Sequence, residues 1–278
     1  MSAGMTITEP GVLTVMADVE QRSEEWYDQR RGLVTASVVG QLITVRAKSP
    51  IEYDCPACGA FANFACISKR GSGDIKTTHP ERSQDDGERV IEAADGREVQ
   101  SLTLLLAAER ITGYTEPTYI SSDMWRGIED EPLARDHYAA HHAPVETCGF
   151  MVREFGAMRL GYSPDGLVGD DGLIEIKSRR QKKQLETVLA NEVPAENMAQ
   201  IQCGLLVSGR AWCDYLSWCG GMPMWPIRVY PDERWFAAIT EAVEKFEAAV
   251  EQMCSTYLER VEGLPATERV NYDVELKL

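Results

Sequence analysis

From residue 232 to 258 the apolar positions Phe236, Ile239, Val243, Phe246, Val250, Met253 and Tyr257 recur at alternating steps of three and four on an acidic background. That spacing predicts one long amphipathic helix packed on a sheet. Residues 101–112, SLTLLLAAERIT, read as a helix stopped by Gly113. Further helices are expected over 123–141 and 195–207. From residue 150 the pattern shortens to strand-like runs. FGAMRLGYSPDGLV and GLIEIKS are two of them, with Gly-Asp-Asp-Gly as a hairpin turn between, and AWCDYLSW and WPIRVY are two more. Near the start, Thr35 or Ser37 is positioned to cap a short helix over VVGQLITV. Residues 1–20 show no strong pattern and read as a loose lead-in. The order of elements predicts a mixed α/β domain.

Composition changes this picture in one place. Residues 46–97 are rich in Cys, Gly, Asp and basic residues and poor in large apolar ones. They read as a module inserted into a domain made of 1–45 and 98–278. Its Cys55, Cys58, Cys66 and His79 follow C-x2-C-x7-C-x12-H, with Gly59 after the second Cys. A C-x2-C-G knuckle aims two thiolates at one ion, and three thiolates with an imidazole suit tetrahedral Zn²⁺. A metal would supply the folding energy that this segment's few apolar groups cannot. The segment resembles small Cys-Cys-Cys-His zinc modules of other viral proteins that begin CPxCGA. Lys69, Arg70, Lys76 and Arg82 could touch DNA from it, or the module could contact a partner. Cys148, Cys203, Cys213, Cys219 and Cys254 are irregularly spaced and read as reduced, mostly buried thiols.

The chain carries 28 Lys+Arg against 44 Asp+Glu over 278 residues, a net charge of −16. That balance argues against non-specific coating of nucleic acid but not against nucleic acid as a substrate. No apolar run approaches the ~20 residues that span a bilayer, and no secretory leader is visible. A cytoplasmic protein without membrane contact is expected, in the host cytoplasm if the protein is viral.

The densest chemistry lies in Ser163-Pro164-Asp165-Gly166 and Glu175-Ile176-Lys177. Glu175 and Lys177 are two apart on an expected strand and so share a face. An acid and a lysine inside an apolar strand are costly unless they act. A hairpin can bring Asp165 beside Glu175. Two carboxylates with a lysine make a site for Mg²⁺, which neutralises a phosphate and acidifies a bound water. Alone, S-P-D-G is ordinarily a turn and E-x-K an ion pair; their combination points to phosphodiester hydrolysis. The basic run Arg179, Arg180, Lys182, Lys183 follows at once as a phosphate-contacting edge. His137, His141 and His142 read as a solvated helix face.

Here the residues carry a resemblance. Trp26, Arg30, Gly32 and Thr35-Ala36-Ser37, then LTLLLAAERITG at 102–113, Gly127-x-x-x-Glu131-x-x-Ala134, the two catalytic segments, and Ala199-Gln200-Ile201-Gln202 occur in order. This series resembles the lambda-exonuclease-like (YqaJ-type) viral recombinase nucleases of the PD-(D/E)xK superfamily. The resemblance implies a mixed central sheet flanked by helices, here with a zinc insertion that the family's core pattern lacks. It implies Asp165, Glu175 and the Ile176 carbonyl as ligands of Mg²⁺ or Mn²⁺ in two-metal phosphodiester hydrolysis, and Lys177 acting on the attacking water. Glu131 would be a further acid, with Glu129 and Asp130 as rivals in register. Gln202 would place the nucleophile or substrate. Arg30 and Ser37 would hold a phosphate, with Arg31 as a rival of Arg30, and Arg179 would contact substrate. The activity implied is degradation of the 5′-ended strand of linear duplex DNA. The implied assembly is a homo-oligomeric ring, trimer or tetramer, working with a single-strand annealing recombinase. A structure-selective or iron–sulfur nuclease and a non-catalytic DNA- or protein-binding module are the alternatives.

Overall fold

The computed structural model describes residues 11–68, 73–83, 87–117 and 119–269. Two four-stranded sheets meet at the Ser163–Asp165 turn. The first has the order β1 (Val12–Met16), β5 (Phe150–Phe155), β6 (Met158–Tyr162), β2 (Val34–Thr35). The second has the order β10 (Trp225–Val229), β9 (Trp212–Trp218), β8 (Gly172–Ser178), β7 (Gly166–Val168). β8 and β9 run parallel, and parallel neighbours need a crossover. It is supplied by α4 (Gln181–Ala190) and α5 (Ala195–Ser208).

α5 is buried on almost every side, through Ala199, Ile201, Cys203, Leu205 and Val207. Against it and the sheets pack α2 (Arg97–Thr112) and α6 (Glu233–Arg260). The stripe of α6 is buried at Ile239, Val243, Phe246 and Val250. Trp235 joins it, whereas Tyr257 at its far end is 46% exposed. α3 (Ser122–His141) covers the second sheet through Ala134 and Tyr138. Among the described residues no helix is long and apolar enough to cross a membrane.

Three local expectations are corrected. The lead-in holds β1, an edge strand whose Val12 and Val15 face outward, so alternation is hidden in the sequence. The helix near Thr35 is instead α1 (Glu24–Arg30), capped by the Ser23 hydroxyl on the Trp26 N–H. Thr35 ends β2, and residues 39–42 form one 3₁₀ turn before β3 (Ile43–Ala47). The run FGAMRLGYSPDGLV breaks in two, because the chain changes sheets at Ser163–Asp165. Gly166 permits the change: a Cβ there would lie 2.4 Å from Val145 Cγ1 and 2.8 Å from Ile174 Cδ1.

β3 pairs with β4 (Arg89–Ala93) as an antiparallel ribbon on α6. The cysteine-rich segment lies between these two strands. The expected insertion boundaries, 46 and 97, fall inside β3 and at the first residue of α2.

Candidate active site

Three residues in a row are pinned by side chains from distant elements. The Ser163 hydroxyl accepts from Trp26 Nε1 at 2.8 Å and Arg30 Nη1 at 3.2 Å. The Pro164 carbonyl accepts from Gln21 Nε2 at 3.0 Å, and the Asp165 carbonyl from Arg135 Nε at 2.7 Å. Asp165 Oδ2 accepts the Ile176 N–H at 2.6 Å, which sets its carboxylate against the strand that carries Glu175.

Glu175 is fully buried. Its Oε1 accepts from Lys177 Nζ at 2.6 Å and from Gln200 Nε2 at 2.6 Å, while Gln200 Oε1 accepts from Lys177 Nζ at 3.0 Å. Its Oε2 has no hydrogen-bond partner among the described residues. Burial, then Glu175 and Glu131, push the Asp165 carboxyl well above the usual carboxylate range. Burial works against the Lys177 ammonium, but Glu175 and Asp165 outweigh it and hold the pKa above its ordinary value.

Glu131 joins this group. Its carboxylate accepts from Arg135 at 2.5 Å and Arg22 at 2.9 Å. Of its rivals, Glu129 is exposed and Asp130 is taken by the Ser178 hydroxyl. Gln202 is not brought to the cluster: its amide donates to the Tyr230 carbonyl and accepts from the Asp232 N–H. Positions two apart on an α-helix face opposite sides, so one glutamine of the Q-x-Q pair turns to the carboxylates, and it is Gln200. Gln200→Ala should lower turnover by roughly tenfold or more, because Lys177 and Glu175 lose their shared partner. Gln202→Ala should change thermal stability more than turnover; the reverse result in steady-state assays would restore Gln202 to the site.

Beside Ser163 lies a second polar pocket. Arg30 stacks on Trp26, 4.0 Å from the ring centroid, and donates to Ser37 Oγ at 3.1 Å and Thr35 Oγ1 at 3.4 Å. Its hydrogen bonds among the described residues go to hydroxyls alone. Burial brings its pKa down to about 10. Arg31 instead pairs with Asp28. Among the described residues Arg30 therefore hydrogen-bonds no carboxylate, and through Ser163 it lies one covalent neighbour away from the Pro164–Asp165 turn.

The basic edge is largely neutralised. Arg180 pairs with Asp123 at 2.7 Å, Lys183 with Glu196 at 3.2 Å, and Lys182 with Glu186 at 3.8 Å. Arg179 hydrogen-bonds neutral groups, the Tyr215 hydroxyl at 2.8 Å and Asn197.

In the cysteine-rich segment between β3 and β4, Cys55, Cys58, Cys66 and His79 converge, with one ligand atom from each within 4.8 Å of the others. Arg82 is not available to DNA; it is fully buried beneath this cluster. Lys69 and Arg70 lie outside the described residues. The remaining cysteines are free thiols; burial lifts that of Cys203 to about 12. His137 and His141 stack on each other at 4.2 Å, and His137 also meets Trp218 edge-on at 5.5 Å.

Gln21 and Arg135 were not foreseen. Gln21 sits in the stretch without pattern. Arg135 had a signal, its place one helical turn after Glu131.

The pattern of the YqaJ-like viral recombinase domain matches residues 25–211. The chain is similar to the solved structure of an alkaline exonuclease from Laribacter hongkongensis, with 28% identity, a TM-score of 0.60, and coverage of 86% of this chain and 97% of that one. The structure of that exonuclease in complex with dAMP gives 26% identity, a TM-score of 0.61, and coverage of 87% and 100%. No curated protein matches the chain.

Proposed function

The chain belongs to the YqaJ-like viral recombinase family, and from that premise we propose that it is a metal-dependent DNA exonuclease that degrades the 5′-ended strand of linear duplex DNA and leaves 3′ single-stranded tails. The observation that carries the hydrolytic part is the buried Glu175 Oε2, a carboxylate oxygen with no hydrogen-bond partner among the described residues, on a side chain whose charge acts on Asp165 together with that of Glu131. An orphaned anionic oxygen among like charges suits a hard divalent cation. Asp165, Glu175 and the Ile176 carbonyl would hold Mg²⁺ or Mn²⁺, which when bound supplies charge neutralisation at the scissile phosphate and a more acidic water.

The other groups act around that centre. Lys177, fixed between Glu175 and Gln200, presents an ammonium that orients the attacking water and stabilises charge developing on the phosphate. Glu131 adds negative charge beside Asp165. Arg30, with Ser37, Thr35 and Ser163 around it, takes a terminal 5′ phosphate through charge-assisted bonds. Its link to Asp165 through the Ser163 turn fixes the distance from strand end to cut. Arg179 holds the phosphate backbone beyond β8. A ring of three or four copies around the duplex, and a single-strand annealing recombinase that takes up the 3′ tails, complete the proposal.

Linear duplex DNA labelled separately at its 5′ and 3′ ends, digested with and without Mg²⁺, tests it. Early metal-dependent release of the 5′ label with long 3′-labelled strands is the expected result. Internal fragments would replace the exonuclease with a structure-selective nuclease. Binding without cutting would leave a non-catalytic DNA-binding module.

A further inference from the structure

Among the described residues Arg82 is the largest side chain with essentially no exposure, and it lies in a segment with little apolar material. A buried guanidinium is costly unless its five N–H groups and its charge are both met. The N–H groups are met. Nε donates to the Tyr53 carbonyl at 2.8 Å, Nη1 to the Phe64 carbonyl at 2.7 Å, and Nη2 to the Ile51 carbonyl at 2.9 Å and the Phe61 carbonyl at 2.8 Å. The remaining bond runs from Nη1 to Cys66 Sγ at 3.1 Å. No carboxylate is among these partners.

The charge points to the cysteines. A 3₁₀ turn over Pro80–Arg82 sets His79 and Arg82 three residues apart, and such positions eclipse on one face. His79 Nδ1 reaches 3.4 Å from Cys55 Sγ, and Arg82 touches the same cluster from beneath. The Cys55–Cys58 knuckle closes through the Gly59 N–H on the Cys55 carbonyl at 2.8 Å, with Gly59 at φ +73. The Ile67 N–H points at Cys58 Sγ from 3.5 Å. A tetrahedral zinc with sulfur ligands at about 2.3 Å keeps those sulfurs ~3.8 Å apart, within the spread these four ligand atoms show.

We propose that Cys55, Cys58, Cys66 and His79 bind one Zn²⁺ and that Arg82 is the built-in counter-charge of that site. Three thiolates and a neutral imidazole around Zn²⁺ leave a net charge of minus one, and Arg82 cancels it. The neutral zinc–arginine pair then does for the insertion what an apolar core does elsewhere. The ion gathers the ligand side chains, and the guanidinium ties the loops at 51–53 and 61–64 to the same point. Arg82 acts through Cys66 and is a positioning residue. This inference stands apart from the nuclease reading.

The test uses the full chain, its zinc content, the rate of zinc release to a colorimetric chelator, and the absorption spectrum after exchange for Co²⁺. Wild-type protein should hold about one zinc per chain and give a tetrahedral Co²⁺ spectrum with thiolate charge-transfer bands. Cys58→Ser should lose both. Arg82→Met should release zinc about 10–100-fold faster and move the charge-transfer bands, since a thiolate loses its N–H donor. Arg82→Lys keeps the charge and should fall between the two. Absence of stoichiometric zinc in wild-type protein would overturn the site. Unchanged release and spectrum in Arg82→Met, or release from Arg82→Lys as fast as from Arg82→Met, would overturn the counter-charge role. Should Arg82→Met not fold, Arg82→Lys decides alone: release within about tenfold of wild type supports the proposal, and complete zinc loss refutes it.

Discussion

Asp165→Asn is expected to lower cleavage of duplex DNA by about 10³-fold or more, the scale on which loss of one charge at a phosphoryl site acts. Without divalent metal the same variant should melt higher than wild type. Asp165 is crowded by Glu175 and Glu131, and its folded pKa lies well above the ordinary value. A carboxyl whose pKa is raised by folding weakens the fold as pH climbs through and beyond the ordinary carboxylate range, and at neutral pH that penalty is in force. Asparagine removes the charge and keeps the shape. A rise of about 2–4 °C corresponds to roughly 1 kcal/mol in a domain of this size. Mg²⁺ should raise the melting temperature of wild-type protein and do much less for the variant. Melting curves at several Mg²⁺ concentrations, alongside cleavage assays, would show this. A variant that cuts normally, or gains as much from Mg²⁺ as wild type, would remove Asp165 from the site. Lys177→Ala should lose activity by roughly 10²–10⁴-fold without that metal-free gain, because it takes away the cation that pairs with Glu175.

Arg30→Ala should discriminate between DNA ends. On 5′-phosphorylated duplex the loss should be about 10–100-fold in kcat/KM, the worth of one or two charge-assisted bonds. On 5′-hydroxyl ends it should be within about threefold, since the cation then has no anion to meet. Arg30→Lys should rescue poorly, because a lysine cannot stack on Trp26 and reach Ser163, Thr35 and Ser37 together. Equal losses on both kinds of end would show that Arg30 only shapes the Ser163 turn.

The carboxylate–lysine cluster is legible in the sequence because it depends on short spacings. Glu175 and Lys177 share a face by the period of a strand, and their common contact with Gln200 follows from it. The Cys3His cluster was readable from its knuckle. The Q-x-Q pattern holds two glutamines, and only helix phase, Gln200 toward Glu175 and Gln202 toward Tyr230, separates them. β1 was invisible because an edge strand with exposed Val12 and Val15 has no buried alternation to display. Gln21 was invisible for a different reason: its partners, the Cys148 and Pro164 carbonyls, are backbone atoms that leave no trace in residue type. In the sequence Arg82 reads as one of the cations that could touch DNA, because composition counts charge without saying which side of a loop it faces.

The hydrogen bonds that hold the Ser163–Asp165 turn reach back 143 residues to Gln21, 137 to Trp26 and 133 to Arg30. Lys177 meanwhile waits for Gln200, 23 residues ahead of it. Contacts of such long separation form late, after loop closure has been met by other packing. Synthesis runs from the N-terminus, so a growing chain that has just emerged through residue 190 already carries every carboxylate of the cluster. It still lacks α5 and β9, the strand that β8 pairs with along its whole length. On the nuclease reading, cleavage is then among the last properties the nascent chain acquires, and a translation product stopped short of β9 carries the acids without the power to cut.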